Sequence, residues 1–253
     1  MTTYDVIGGI ELTLSAAIMI AGLSIVLGRD VGQRAAYAAV LLVWFGFVVI
    51  LAATGAVGAE HGIGAPGLGL AVAVPIVLMW IGLMRVRPLR EGLDAAPLAV
   101  LVGLNGVRIL GVSFLILQAS HRLPAPFAPV AGWGDIVAGV AAIGVALLVW
   151  RRASGWRAGL IAWNIFGLAD LIAAVSLGVL SSPGPLQRIF AEPGAGLMST
   201  LPWLLIPGFI VPLLAITHLA IFYRLLWRGN SSAEVLGGKR RGKSTSSLIV
   251  GST

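Results

Sequence analysis

The sequence predicts an all-α polytopic membrane protein: one bundle of seven transmembrane helices, N-terminus outside and C-terminus cytoplasmic. Three observations carry this expectation. The 253 residues are 58% hydrophobic and only 11% charged, whereas soluble domains carry about 25% charged residues. Apolar runs long enough to cross a hydrocarbon core, which takes roughly 17 to 25 residues, occur seven times: 6–27, 35–57, 67–84, 97–119, 134–150, 158–180 and 201–227. The third observation is the placement of the cations, which cluster in alternate connections.

Taking the spans in order, Arg29 and Arg34 follow the first, Arg85, Arg87 and Arg90 the third, and Arg151, Arg152 and Arg157 the fifth. Arg224, Arg228, Lys239, Arg240, Arg241 and Lys243 close the chain. That places fourteen of the 17 Lys and Arg residues on one side, against Arg122 and Arg188 on the other, with Arg108 inside a span. Basic connections stay cytoplasmic, which sets the orientation and points to a cell inner (plasma) membrane. The start of the chain lacks the basic segment and small-residue cleavage site of a signal peptide, so the first span is expected to remain as an anchor.

The opposite connections carry Pro, Gly and aromatic residues. Phe127, Trp133, Phe190 and Trp203 are expected near headgroup level, with Leu186, Ile189 and Phe190 on one side of a short surface helix. Small residues four apart, Ala17 with Ala21, Ala138 with Ala142 and Ala146, and Ala169 with Ala173, mark expected helix contacts. Pro75, Pro207 and Pro212 fall inside spans and should kink them. A faint 60-residue period relates His61 to His121 and Ala65-Pro66 to Ala125-Pro126. Residues 1–228 form the membrane domain, and 229–253, rich in Gly and Ser, are expected to be a disordered basic tail. Its Lys239, Arg240, Arg241 and Lys243 can touch anionic lipid. The lipid bilayer is the expected partner; with no basic groove-facing helix, nucleic acid is not.

The chemistry is expected where charge is most costly. Arg108 lies at the middle of the fourth span, where a cation costs about 2.5 to 3.5 kcal/mol on insertion scales. Asp170, in the sixth span, is its expected counter-ion at matching depth. Asn105, three residues before Arg108, shares its face. Asn164 and His218 complete a buried polar set of substrate or ion-pathway candidates, and Glu11 and Asp135, nearer the outer surface, are entrance candidates. Asp135 is expected at the start of the fifth span, where it could cap the helix.

Other chemistries are poorly supplied. There is no cysteine, hence no disulfide, thiolate metal site or cysteine nucleophile. His61 and His121 fall in outer connections and His218 in the last span, so no imidazole pair is placed to hold haem, and neither a metal site nor a cofactor is expected. Gly62 to Gly67 matches a dinucleotide-binding glycine pattern only formally, because no strand precedes it. The topology resembles that of microbial rhodopsins, but the last span has no lysine to form a retinal Schiff base; Lys239 and Lys243 are the only lysines. It also resembles seven-helix sugar transporters of the parallel-repeat kind, without their Pro-Gln motif. No catalytic motif stands behind an enzymatic role for His218 or Asp170. The expected activity is therefore transport or conduction of a small solute, ion or proton. The alternative is a non-catalytic sensor, accessory or scaffold subunit in which the Arg-Asp pair is structural.

Overall fold

The computed structural model describes residues 2–59 and 62–226. The basic cluster Lys239 to Lys243, the rest of the 229–253 tail and His61 lie outside the described residues. Seven helices are long and apolar enough to cross a membrane, and every regular element among the described residues is helical.

Helix α1 (Thr3–Leu27) opens with a capping box, in which the Thr2 side chain accepts from the Asp5 amide and Asp5 returns the bond to the Thr2 amide, satisfying two free N–H groups. Helix α2 (Val31–Ala53) is capped by Asp30, which accepts from the Gln33 amide at 2.8 Å. Helix α3 (Ala65–Arg85) runs through Pro75 without ending. It is followed at once by α4 (Arg87–Ala95), a nine-residue amphipathic helix. In the sequence its charges read only as a topology signal. Its buried side sits on the end of α1: a Cβ on Gly92 would overlap the Leu27 carbonyl, while Arg29 and Arg87 reach Glu91 at 2.6 and 2.7 Å.

The fourth span, α5 (Leu98–Ala119), is not a uniform α-helix. Its ends, Leu98–Gly103 and Val112–Ala119, are α-helical, and Leu104–Gly111 between them is a 3₁₀-helix of 8 residues, long for that form. Three residues per turn places Asn105, Arg108 and Gly111 in one column, and all three are buried, as are Val102, Phe114 and Leu117 in the α-helical ends. An α-helical period of 3.6 would rotate that column off the core within a few turns. The pitch thus keeps Arg108 pointing inward.

Helix α6 (Phe127–Arg151) starts seven residues earlier than the apolar run at 134 implied. Pro129 falls in its first turn, where an amide is unbonded anyway. Asp135 is therefore two turns inside the helix, not at its start, and it caps nothing. Helix α7 is Trp156–Ser181, and α8 (Ile206–Leu226) begins with a π-helical turn, Ile206–Ile210, that contains Pro207.

Other expectations are corrected. Leu186, Ile189 and Phe190 lie in irregular chain, not on a helix, since Pro183, Pro185 and two glycines within twelve residues break the pattern. Trp203 and Phe127 point into the bundle, at 2% and 4% exposure, instead of sitting at the headgroups. Of the three small-residue stripes, only that of α6 is buried: Ala138 and Ala142 have no exposed surface, whereas Ala17, Ala21 and Ala169 are exposed. Close approach comes from glycine instead. A Cβ on Gly139 would stand 2.6 Å from the Ile109 nitrogen, so α6 lies against the 3₁₀ backbone of α5.

Candidate functional site

Arg108 is the centre of a polar cluster drawn from α5, α6, α7 and α8. Its side chain has no exposed surface. Nε donates to Asp135 Oδ1 at 2.7 Å, and Nη2 donates to Asp170 Oδ2. Nη1 donates to the Gly167 carbonyl at 3.1 Å and meets His218 Nε2 at 3.3 Å. One guanidinium is thus held between two carboxylates whose side chains keep 15% and 7% of their surface.

The histidine contact fixes a tautomer. A guanidinium only donates, so His218 Nε2 must offer its lone pair, and the ring proton sits on Nδ1. Nδ1 then donates to Asn164 Oδ1 at 2.7 Å, and Asn164 Nδ2 donates to the His218 carbonyl at 3.0 Å. Asn164 thereby holds both the backbone and the ring of His218. Trp163 packs against the ring at 4.8 Å and anchors itself by donating Nε1 to the Ala138 carbonyl at 2.9 Å. Further along the column, Asn105 Nδ2 donates to the Leu101 carbonyl and to Thr217 Oγ1, both at 3.0 Å. Asn105 Oδ1 is buried without a partner.

Four glycines make the space. A Cβ on Gly134 would collide with the Asp170 carboxylate, and one on Gly111 with Asp135. On Gly167 it would lie 2.5 Å from His218 Cε1 and 3.1 Å from Arg108 Nη1, and Gly139 opens the backbone behind Arg108. The charges are close because the helices carrying them lack side chains at these points.

Of the pathway candidates, Arg108, Asp170, Asn164 and His218 are brought into one bonded set, and Asn105 stands one 3₁₀ turn away. Asp135, an entrance candidate in the sequence, is bonded to Arg108, and α6 begins two turns before it. Glu11 stays apart: it is half-buried between α1 and α5, accepting from Ser113 Oγ at 2.5 Å. Sequence reasoning missed Thr217 and the Gly167 carbonyl. It also missed a second cluster at the N-terminal end of α1, where Asp5 accepts from Arg122 at 2.8 Å and from Trp203 Nε1 at 3.0 Å. Asp5 and Arg122 lie outside the apolar runs and carried no signal. Among the described residues no group of three His, Asp or Glu is placed to hold a metal ion.

A family model described as a domain of unknown function, DUF8737, matches residues 65–226. The chain belongs to this family. The matched segment contains α3 to α8 and with them every residue bonded to Arg108; α1 and α2 precede it. No curated protein and no solved structure matches the chain.

Proposed function

We propose that this membrane protein takes up and releases a proton or small cation at the Arg108 cluster, and couples that exchange to transport of a small solute or ion. The observation that carries this reading is the charge count. One buried arginine faces two carboxylates, Asp135 and Asp170, and His218 is neutral in its contact, so the set lacks one positive charge. An unbalanced charge at this depth is costly, and a proton or a cation on the carboxylates removes it. The helices carrying the set are irregular near it: α5 changes from 3₁₀ to α after Gly111, and α8 has a π turn that ends about two turns before Thr217 and His218. A 3₁₀ stretch inside a helix often marks a hinge, and π turns are frequent at functional sites, which supports movement at the site.

The proposal includes an orientation, N-terminus outside a bacterial inner membrane, supported by the distribution of cations. Asn105, with its unpaired Oδ1, belongs to the solute path in this reading, and Glu11 marks the approach along the α1–α5 interface. The test is flux in proteoliposomes with an internal pH dye, under a pH gradient and across a panel of small solutes. The parent should move protons or a solute, and Asp135→Asn or Asp170→Asn should each lower the rate at least tenfold while folding normally. A second reading rests on one observation: every nitrogen of the Arg108 guanidinium is bonded, which is also what a purely structural register lock needs. A parent without flux across the panel, co-purifying with a stoichiometric partner, would assign the chain to that accessory role.

A further inference from the structure

Helices α2 and α3 follow each other in the chain but do not lie side by side. Between them runs an apolar groove of about 940 Å³, at the upper end of the volumes of ligand sites. Trp44 and Phe47 of α2 form one wall and Leu70, Val74 and Leu78 of α3 the other. Its floor is not lipid but protein, from Leu23 of α1 and Leu204 and Gly208 of the α8 region. Along α2 it extends from Tyr37 to Leu51, a rise of about 21 Å at 1.5 Å per residue, most of the thickness of a hydrocarbon core.

One end of this groove is chemically different. Tyr37 lines it there with a buried hydroxyl that has no hydrogen-bond partner. A buried hydroxyl without a partner is costly, and Tyr37 is one of the residues that line this end. The lining stripes of both walls run into an arginine at this same end. Arg34 lies one turn before Tyr37 on α2, and Arg85 one turn after Gly82 on α3, beside the lining residue Val86. Neither arginine pairs with a carboxylate among the described residues; Arg34 spends only Nε, on the Gly28 carbonyl at 3.0 Å. The two arginines flank the lining and do not belong to it, and at the opposite end no lysine or arginine lies within a turn of Val57 or Ile63 in the chain.

An elongated apolar channel at membrane depth, flanked at one end by an unbonded hydroxyl and by two arginines that pair with no carboxylate among the described residues, matches an amphiphile with a long hydrocarbon tail and an anionic head. We infer that the α2–α3 groove is a binding site for one anionic phospholipid, its tail between Phe47 and Val74 and its phosphate at Tyr37, Arg34 and Arg85. The site is separate from the Arg108 cluster, so the inference stands or falls independently of the proposed transport. It accounts for the open wedge between two consecutive helices, which a tail fills and a solvent-facing protein would close.

The test uses the full chain in nanodiscs containing equal amounts of phosphatidylglycerol and phosphatidylcholine, then gentle detergent transfer and native mass spectrometry. One phosphatidylglycerol should remain per chain, at least tenfold over phosphatidylcholine. Val74→Trp, which fills the groove, should abolish retention. The double variant Arg34→Gln and Arg85→Gln should reduce the preference to about threefold or less while leaving the groove open. Tyr37→Phe separates the hydroxyl from the ring and should weaken retention severalfold. Thermal melting of each variant checks that it is folded. Equal retention of the two lipids, retention unchanged in folded Val74→Trp, retention of a neutral isoprenoid instead, or cross-linking of two chains through Phe47 and Leu78 would each overturn the inference.

Discussion

At the residue scale, Arg108 is held by four contacts on three helices and cannot be moved without stranding a charge. Removing the one cation from a buried charged set costs about 3 to 5 kcal/mol, because the carboxylates lose their counter-charge. Arg108→Leu should lower stability in a micelle by that amount, read by detergent-titration unfolding. The triple variant with Asp135→Leu and Asp170→Leu should recover much of the loss. A triple variant as unstable as Arg108→Leu alone would mean that the cluster's shape, not its charge balance, holds the bundle. Gly167 offers a finer probe. Its Cβ position lies 2.5 Å from His218 Cε1, so Gly167→Ala forces the imidazole away and should cost about 1 to 3 kcal/mol. Gly106 has nothing within 4 Å of its Cβ position, and Gly106→Ala should stay within about 1 kcal/mol of the parent. Equal losses at both positions would argue against a tightly packed Gly167 contact. Which of these residues could be read from sequence follows from physics. Charge at membrane depth singles out Arg108 and Asp170, since depth is set by counting along a span. The bond of Asp135 to Arg108 is not legible in the same way, because the position of Asp135 in α6 depends on where that helix starts, and the start lies in a segment of modest hydropathy.

At the element scale, α4 shows what hydropathy leaves out. A helix of nine residues with four charges has no apolar run, yet its amphipathic face closes the end of α1 and α3. The hydrogen bond from Arg87 holds Glu91 below the usual glutamate range; burial opposes it to a smaller extent, and the charges of Arg87, Arg29 and Arg90 add to the lowering. A carboxyl group whose folded value is depressed contributes stability that is complete above its unfolded value and is lost as pH falls through the folded one. The docking of α4 should therefore hold at neutral pH and loosen as the pH falls below about 4.5 toward that lowered value. Because these pairs are exposed, the effect should be local and modest. Amide exchange within α4 is the measurement: it should quicken at low pH, and Glu91→Gln should reproduce part of the change at neutral pH. Exchange in α4 that is independent of both pH, after correction for intrinsic rates, and the substitution would leave its docking to Leu93 and the Gly92 contact alone. The 3₁₀ stretch of α5 was likewise invisible in sequence. Its period of three emerges only when Asn105, Arg108 and Gly111 are seen buried in one column, and apolar neighbours on every side hide it from hydropathy.

At the scale of the whole molecule, the helices before residue 65 are fastened to the family segment by polar contacts along α1 and at its two ends. Asp5 with Arg122 and Trp203 clasps one end, Glu11 with Ser113 joins α1 to α5, and Arg29 with Glu91 clasps the other. In a bilayer, helix association rests on close packing together with interhelical polar contacts, so these contacts act with the close approaches of Gly8 to Trp203 and Gly22 to Leu104 in setting the position of α1 against the rest. The same geometry defines the two faces of the bundle and yields a direct test of orientation. The α6–α7 turn, containing Ser154, lies at the end rich in arginine, and the long connection after α7, containing Leu186, lies at the other. The chain contains no cysteine, so single cysteines can be introduced without a background. Ser154→Cys should be shielded in intact cells from a membrane-impermeant maleimide and should react once the membrane is opened, whereas Leu186→Cys should react from outside. Both residues are exposed, so each is chemically accessible on its own side. The reverse pattern would invert the bundle, turning the basic end outward against the usual retention of cations in the cytoplasm, and would move the Tyr37 end of the lipid groove to the outer leaflet.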